Sequence, residues 1–229
     1  MKKFFVGVDL GQAADYTALS ILEKLPPEGD EKEHEPNWRR RGNRQNVYHV
    51  RHLERVRGAP YPQIVATVTR MMSSPSLKGD AALVIDQTGC GRPVFDMFVD
   101  AGLKSTPIGV SIHGGDSVSH DGGNYRVPKR DLVGVLQVLL QSGRLKVAQK
   151  LELGPILQQE MLNFKQKIDP VTAHDSYSAW REQDHDDLVL AVALAAWWGE
   201  QFVEPIMMTF SVTPVVRRYD DIINNWQPF

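Results

Sequence analysis

The chain has 229 residues, a formal net charge of −2 at pH 7 and a hydrophobic share of 42%. These values fit a sizeable core and exclude a surface that is basic throughout. No apolar run reaches the roughly 18 residues of a transmembrane helix, and the single cysteine, Cys90, excludes an internal disulfide and fits a reducing compartment. We expect no signal peptide, because Asp9 interrupts the first apolar run and no cleavage pattern follows.

Two short apolar runs each end in an aspartate. The first runs from Phe4 to Asp9 and the second from Ala81 to Asp86. A near-continuous apolar run of this length is typical of a strand buried on both faces, as in the middle of a parallel sheet. Parallel strands bring their carboxyl ends to one edge, where open α/β sheets bind ligands. The sequence therefore predicts that Asp9 and Asp86 meet at one sheet edge, where ionised carboxylates need a partner.

Between these two runs the sequence predicts a meander with a long insertion. Residues 16–23 and 46–57 have strand patterns, and residues 61–73 are predicted to form a crossover helix. The insertion, 24–45, is rich in proline and charge and is predicted to be a long, mobile hairpin loop. Its basic cluster contains Arg39, Arg40, Arg41 and Arg44. A solvated loop and a phosphate contact both remain open for this cluster.

After Asp86 the pattern alternates between helix and strand. Helices are predicted at 93–101, 128–142, 153–165 and 188–198, and strands at 105–112 and, as a short edge strand, 145–147. The Gly-rich stretch 113–124 is predicted to be a flexible loop beside the site. The order predicts an α/β fold with a mixed sheet flanked by helices, in one domain spanning 1–202. Residues 203–229 are predicted to be a tail or an arm over the core.

A third acidic group opens the last predicted helix, at Asp186 and Asp187. Carboxylates from several elements that converge on one point are what two divalent ions about 3.5–4 Å apart need for phosphodiester hydrolysis. Hard oxygen ligands favour Mg²⁺ or Mn²⁺, whereas few histidines and one cysteine do not favour a structural zinc site. Asp9 and Asp86 are the first metal candidates, with turn aspartates as the alternative for both.

The remaining acidic candidates are weaker. Adjacent helical residues differ by about 100° around the axis, so Asp186 and Asp187 cannot both point equally well at one ion. We favour Asp187 as the ligand, with Asp186 as the alternative and the other residue as a cap. Asp184 can serve as the N-cap, and His185 either orients a ligand or is simply partly exposed. Asp15 is either a further ligand or a hairpin-turn aspartate.

At these residues the chain resembles the nuclease domain of phage terminase large subunits, a branch of the RNase H-like nucleases. The likeness rests on four stretches in order: 6–18, 84–91, 125–145 and 185–197. The resemblance implies an RNase H-like fold, with a five-stranded mixed sheet made of a three-strand antiparallel meander plus parallel strands. It also implies that Asp9, Asp86 and Asp187 are the catalytic metal acids, with Asp15 and Asp186 assisting.

The resemblance implies a biological task as well. Such an enzyme uses Mg²⁺ or Mn²⁺ to cut concatenated double-stranded viral DNA before and after a capsid is filled, with little sequence specificity. It acts in the host cytoplasm, away from membranes, with the terminase ATPase portion, the small terminase subunit and the portal. The chain departs from the full-length pattern because it contains no G-x-x-x-x-G-K-[ST] motif. We therefore expect an isolated nuclease domain or a split subunit that does not hydrolyse ATP.

Several basic residues are candidates for contact with DNA phosphates, which carry no base information. They are Lys129, Arg130, Arg144, Lys146 and the cluster Arg39, Arg40 and Arg41. Lys129 is the most informative, because it opens a predicted helix near the acidic edge. It either holds the scissile strand or is a solvated residue at a helix start.

Three other interpretations remain open. A Holliday-junction resolvase would carry the same acids on the same fold. An actin-like or sugar-kinase ATPase also has a first strand that ends in Asp-x-Gly, as Asp9 to Gly11 does. A non-catalytic module that docks on DNA or on the portal could retain the fold without cutting.

Overall fold

The computed structural model of the chain describes residues 2–11, 15–26, 46–89, 92–166 and 186–201. Within those ranges the strands are β1 (Phe4–Asp9), β2 (Tyr16–Leu25), β3 (Val47–Arg57), β4 (Ala81–Asp86), β5 (Ile108–His113), β6 (Ser119–Asp121), β7 (Asn124–Pro128) and β8 (Leu145–Val147). The helices are α1 (Tyr61–Met72), α2 (Arg92–Asp100), α3 (Lys129–Gln141), α4 (Gly154–Gln166) and α5 (Asp187–Gln201).

All the described strands form one mixed sheet in the order β6-β7-β5-β4-β1-β2-β3-β8. β1, β2 and β3 form an antiparallel meander, whereas β4 is parallel to β1 and β5 is parallel to β4. The predicted fold class is confirmed, because the meander lies on one side of β1 and the parallel strands lie on the other. The insertion 27–45 and the tail 203–229 lie outside the described residues.

The sheet has more strands than the predicted five. β8 was predicted as a short edge strand, and it pairs with β3. The prediction of a flexible loop at 113–124 was wrong in part, because β6 and β7 form a hairpin there. Gly122 turns that hairpin with a φ of 59°, so the glycines that indicated a loop supply a tight turn. The predicted insertion also begins too early, since Lys24 is a buried residue of β2.

Helices cover both faces of the sheet. α1 and α2 pack on one face, where Val68 and Phe98 meet Val6 and Val8 of β1. α3, α4 and α5 cover the other face, and every residue of α5 from 188 to 197 is buried. A helix that is apolar all round is typical of such a central position. Within the part of the chain that the structure describes, no helix has both the length and the apolarity of a membrane span.

α5 lies directly against β1. A Cβ atom on Gly7 would lie 1.9 Å from the backbone oxygen of Ala191, so only glycine permits this approach. The hydroxyl of Ser20 on β2 donates a hydrogen bond of 2.9 Å to the same oxygen. At the other end of the helix, the Lys24 ammonium donates to the backbone oxygen of Gly199 at 2.8 Å. α5 therefore runs antiparallel to β1, and its N-terminus lies at the edge where β1 ends.

Candidate metal centre

One row of residues crosses the sheet at its acidic edge. Asp9 pairs with Asp86 on the parallel strand β4, and on its other side with Ala18, which in turn pairs with Arg55 of β3. Paired residues project to the same face, and neighbouring strands lie about 4.8 Å apart. Asp9 and Asp86 are 9% and 8% exposed. Asp9 and Asp86 therefore lie side by side at one edge of the sheet, as the sequence predicts.

The N-terminus of α5 supplies the third acidic group. Asp186 directly precedes the helix, and its backbone oxygen accepts the first helical hydrogen bond, from the N–H of Leu190, at 2.9 Å. Asp187 is the first helical residue. α5 packs on the face that carries Phe5, Gly7 and therefore Asp9. The two aspartates thus approach the Asp9–Asp86 pair from above the sheet.

The electrostatics of Asp9 show this convergence. Burial raises the pKa of Asp9 well above its ordinary value, and the carboxylates of Asp86, Asp187 and Asp186 raise it further, in that order. The positive charge of Lys129 lowers the pKa of Asp9. Four acids around one buried point repel one another, so the ionised state of Asp9 requires additional positive charge nearby.

Local hydrogen bonds hold Asp86 in place. Its carboxylate accepts the backbone N–H of Thr88 at 2.8 Å and also the Thr88 hydroxyl. The hydroxyl oxygen of Thr88 accepts the N–H of Ile112 at 2.7 Å. Asp86 is thus a turn aspartate whose carboxylate is fixed at the sheet edge and linked to β5, and its role as a metal ligand stays a prediction.

The two helix-start acids contact different cations. Asp187 accepts a hydrogen bond of 2.7 Å from Nη2 of Arg55, and Asp186 accepts one of 3.0 Å from the ammonium of Lys129. The two carboxylates thus have separate partners, as the angular argument indicated. Asp187 raises the pKa of Asp9 more than Asp186 does. This supports Asp187 as the third acid, which stays a prediction.

Two residues of this site, Arg55 and Glu160, had no signal in the sequence pattern. Glu160 of α4 is 5% exposed, and its Oε2 accepts the N–H groups of Leu188 and Val189 at 3.0 and 3.2 Å. Its Oε1 lies 3.6 Å from Nη1 of Arg55. Glu160 therefore caps α5 from another helix, a role that Asp186 and Asp187 would otherwise compete for.

The protonation of Glu160 gives a testable pH dependence. Burial raises its pKa from 4.5 to about 7, although the two backbone N–H donors and Arg55 oppose this. Between these values the folded state holds a proton that the unfolded state has lost, so this contribution to the free energy of unfolding falls as pH rises from about 4.5 to about 7. We expect the stability advantage of the wild type over Glu160→Gln to shrink between pH 5 and pH 8 in urea denaturation. Parallel pH profiles would contradict this assignment.

Of the other predicted site residues, Lys146 and Arg144 lie away from the acids, whereas Asp15 stays a prediction. Asp15 is exposed at the bend before β2. Lys146 of β8 is opposite His49 in the register with β3. Arg144 is only 7% exposed, and its guanidinium binds Glu200 and the backbone oxygen of Asn46. These two basic residues lie at the opposite edge of the sheet from Asp9. Predicted residues outside the described ranges are Asp184, His185, Arg39, Arg40 and Arg41.

The donor set fits Mg²⁺ or Mn²⁺ in chemistry. Carboxylate oxygens are their preferred protein ligands, and the mutual repulsion around Asp9 favours a cation. In the described ranges, no three His, Cys, Asp or Glu side chains are arranged to hold an ion. Asp9 and Asp86 are adjacent in register, whereas Asp187 faces Arg55. Asp187 would therefore have to turn from Arg55 toward the pair.

No family model and no curated protein matches the chain. Three solved terminase structures are similar to it. The large terminase nuclease from thermophilic phage G20c has 19% identity and a TM-score of 0.49, over 84% of this chain and 80% of that one. The Mn-soaked human cytomegalovirus terminase nuclease domain has 14% identity and a TM-score of 0.45, over 84% and 82%. The HK97 bacteriophage large terminase has 14% identity and a TM-score of 0.46, over 86% of this chain and 40% of that one.

Proposed function

We propose that this protein is a metal-dependent endonuclease that cuts double-stranded viral DNA concatemers during genome packaging. The observation that carries the proposal is the buried pair Asp9 and Asp86 at one sheet edge, with Asp187 above it at the start of α5. The packaging role, and with it the terminase ATPase portion, small subunit and portal as partners, rests on the four sequence stretches and not on the carboxylates.

In this proposal the acids hold two divalent ions, Mg²⁺ or Mn²⁺. When bound, such ions lower the pKa of a water molecule and neutralise charge on the reacting phosphate. Asp9, Asp86 and Asp187 would hold these ions, while Thr88 and Glu160 fix the turn and the helix that present the acids. In the hydrolysis, the water oxygen bonds to phosphorus, the phosphorus–sugar oxygen bond breaks, and the leaving oxygen gains a proton as the water loses one.

Lys129 and Arg130 are the proposed phosphate contacts on the α3 side of the acids. The ammonium of Lys129 lies beside the acids because it forms an ion pair with Asp186. Arg130 is half exposed and forms an ion pair with Asp116. Contacts to phosphate position DNA without reading its sequence. Little sequence specificity is the result expected of this surface.

The test is a cleavage assay with supercoiled plasmid DNA. We expect the purified protein to nick and then linearise plasmids of unrelated sequence with Mn²⁺ or Mg²⁺, and EDTA to stop the reaction. A protein that binds these ions and DNA but leaves every plasmid intact would overturn the enzymatic proposal and favour a docking module. Strong preference for a four-way junction over a plain duplex would instead favour a resolvase, and micromolar affinity for ATP would favour an actin-like ATPase.

A further inference from the structure

We propose that Arg57, supported by Tyr16, binds a backbone phosphate of the DNA on the meander side of the metal centre. This inference rests on the proposed function, because it extends the path of the same DNA. Arg57 is the last residue of β3 and is exposed, and Tyr16, which begins β2, is its partner in the register. Among the residues that the structure describes, the basic candidates found from sequence near the acids, Lys129 and Arg130, lie on the α3 side.

The register places this pair close to the acids and on their face of the sheet. Tyr16 and Arg57 lie two residues beyond the pair Ala18 and Arg55, which belongs to the row of Asp9. An even spacing keeps the side chains on one face. Two strand spacings and two residues of rise separate Arg57 from Asp9 by roughly 12 Å. At about 3.4 Å of axis per nucleotide on one strand, this distance is a few nucleotides.

The side-chain contacts suit phosphate binding. The guanidinium carbons of Arg55 and Arg57 lie 3.9 and 5.3 Å from the centroid of the Tyr16 ring. Stacking uses the face of a guanidinium group, while its N–H donors project in the plane and match a phosphate in a forked geometry. Arg55 is only 12% exposed and binds Asp187, so it is committed to the centre. Arg57 is the exposed member, and the tyrosine ring restricts its conformations.

Charge balance gives the reason for a second basic side. The acids at the centre repel a DNA backbone, so phosphates before and after the scissile bond need separate cations. Lys129, which contacts Asp186, supplies a cation on one side of the acids. Arg57, at the end of β3, supplies one on the other side. The phosphate path therefore runs over the sheet edge from the start of α3, past Asp9 and Asp86, to the end of β3.

The test measures DNA affinity by fluorescence anisotropy, with Ca²⁺ in place of Mg²⁺ to prevent cutting. Arg57→Gln is expected to weaken binding of a labelled duplex about five- to tenfold, equally for unrelated sequences, and to reduce the slope of log K against log salt by about 1. Tyr16→Leu is expected to give a smaller loss of affinity with an unchanged slope, because no phosphate contact is removed.

Arg70→Gln is the matched control. Arg70 is exposed on α1, which packs on the opposite face of the sheet, and its guanidinium donates a local hydrogen bond to the Thr67 hydroxyl at 3.4 Å. This variant loses the same charge and should bind within twofold of the wild type. If Arg57→Gln behaves like Arg70→Gln while the wild type binds DNA, this inference is wrong and the nuclease proposal stands. If the wild type does not bind DNA at all, both fail.

Discussion

Asp86→Asn is expected to abolish metal-dependent cutting, and Asp187→Asn to do the same. The amide keeps the shape of each side chain but removes the charge that a divalent ion needs from a ligand. We expect a loss of at least about 10³ in the rate of plasmid cleavage, which corresponds to about 4 kcal/mol of transition-state stabilisation. The measurement is the initial rate of nicking at saturating Mn²⁺, with the fraction of supercoiled plasmid followed on gels.

The stability of Asp86→Asn separates loss of chemistry from loss of fold. Asp86 raises the pKa of Asp9, so neutralising it relieves repulsion, while the amide oxygen can still accept the N–H of Thr88. Its melting temperature should therefore not fall below that of the wild type. Asp96→Asn on α2, where the side chain is 58% exposed, is the matched control and should cut normally. Wild-type rates in both Asp86→Asn and Asp187→Asn would refute the metal assignment.

Gly7→Ala is expected to cause the largest loss of stability. The new Cβ would lie 1.9 Å from the backbone oxygen of Ala191 and 3.1 Å from the backbone N of Ala195, so no flexible side chain can yield and α5 itself must move. We expect a loss of about 3 kcal/mol or more in the free energy of unfolding, and a fall of roughly 6–12 °C in melting temperature. Cutting should fall as well, because a displaced α5 carries Asp187 away from Asp9.

Gly134→Ala is the control for this substitution. Gly134 lies in the interior of α3, and apart from the backbone of that helix its added Cβ would have no atom within 4 Å. The same change there should stabilise the protein by up to about 1 kcal/mol, since alanine favours helix. Urea unfolding of the two variants tests the contrast. Equal stabilities would mean that α5 does not depend on close contact with β1.

The acidic edge could be predicted from sequence because its determinants are local. Each apolar run carries its aspartate with it, and parallel strands oblige Asp9 and Asp86 to share an edge. Arg55 could not be predicted, because its place beside the acids depends on the register of β3, which shifts at a bulge between Ile21 and Leu22. Sequence patterns do not fix such a shift.

Glu160 and Arg144 show the other limit of the sequence. Glu160 acts on backbone groups of α5 that lie 28 residues further along the chain, so no spacing rule identifies it. Arginine is a residue type typical of solvent-facing DNA contacts, yet the guanidinium of Arg144 binds Glu200 near the C-terminal end of α5. The residue type suggested a DNA phosphate as the partner of Arg144, whereas its burial among residues distant in sequence gives it a protein carboxylate instead.

The anchoring of α5 at both ends has a consequence for how the protein tolerates mutation. Glu160 and Arg55 form hydrogen bonds with its first turn. At its last turn, Lys24 binds the backbone oxygen of Gly199 and Arg144 binds the carboxylate of Glu200. A slide of one residue, about 1.5 Å along the axis, would break contacts at both ends at once. Loss-of-function substitutions should therefore occur along the whole buried helix, many of them more than a turn away from any acid.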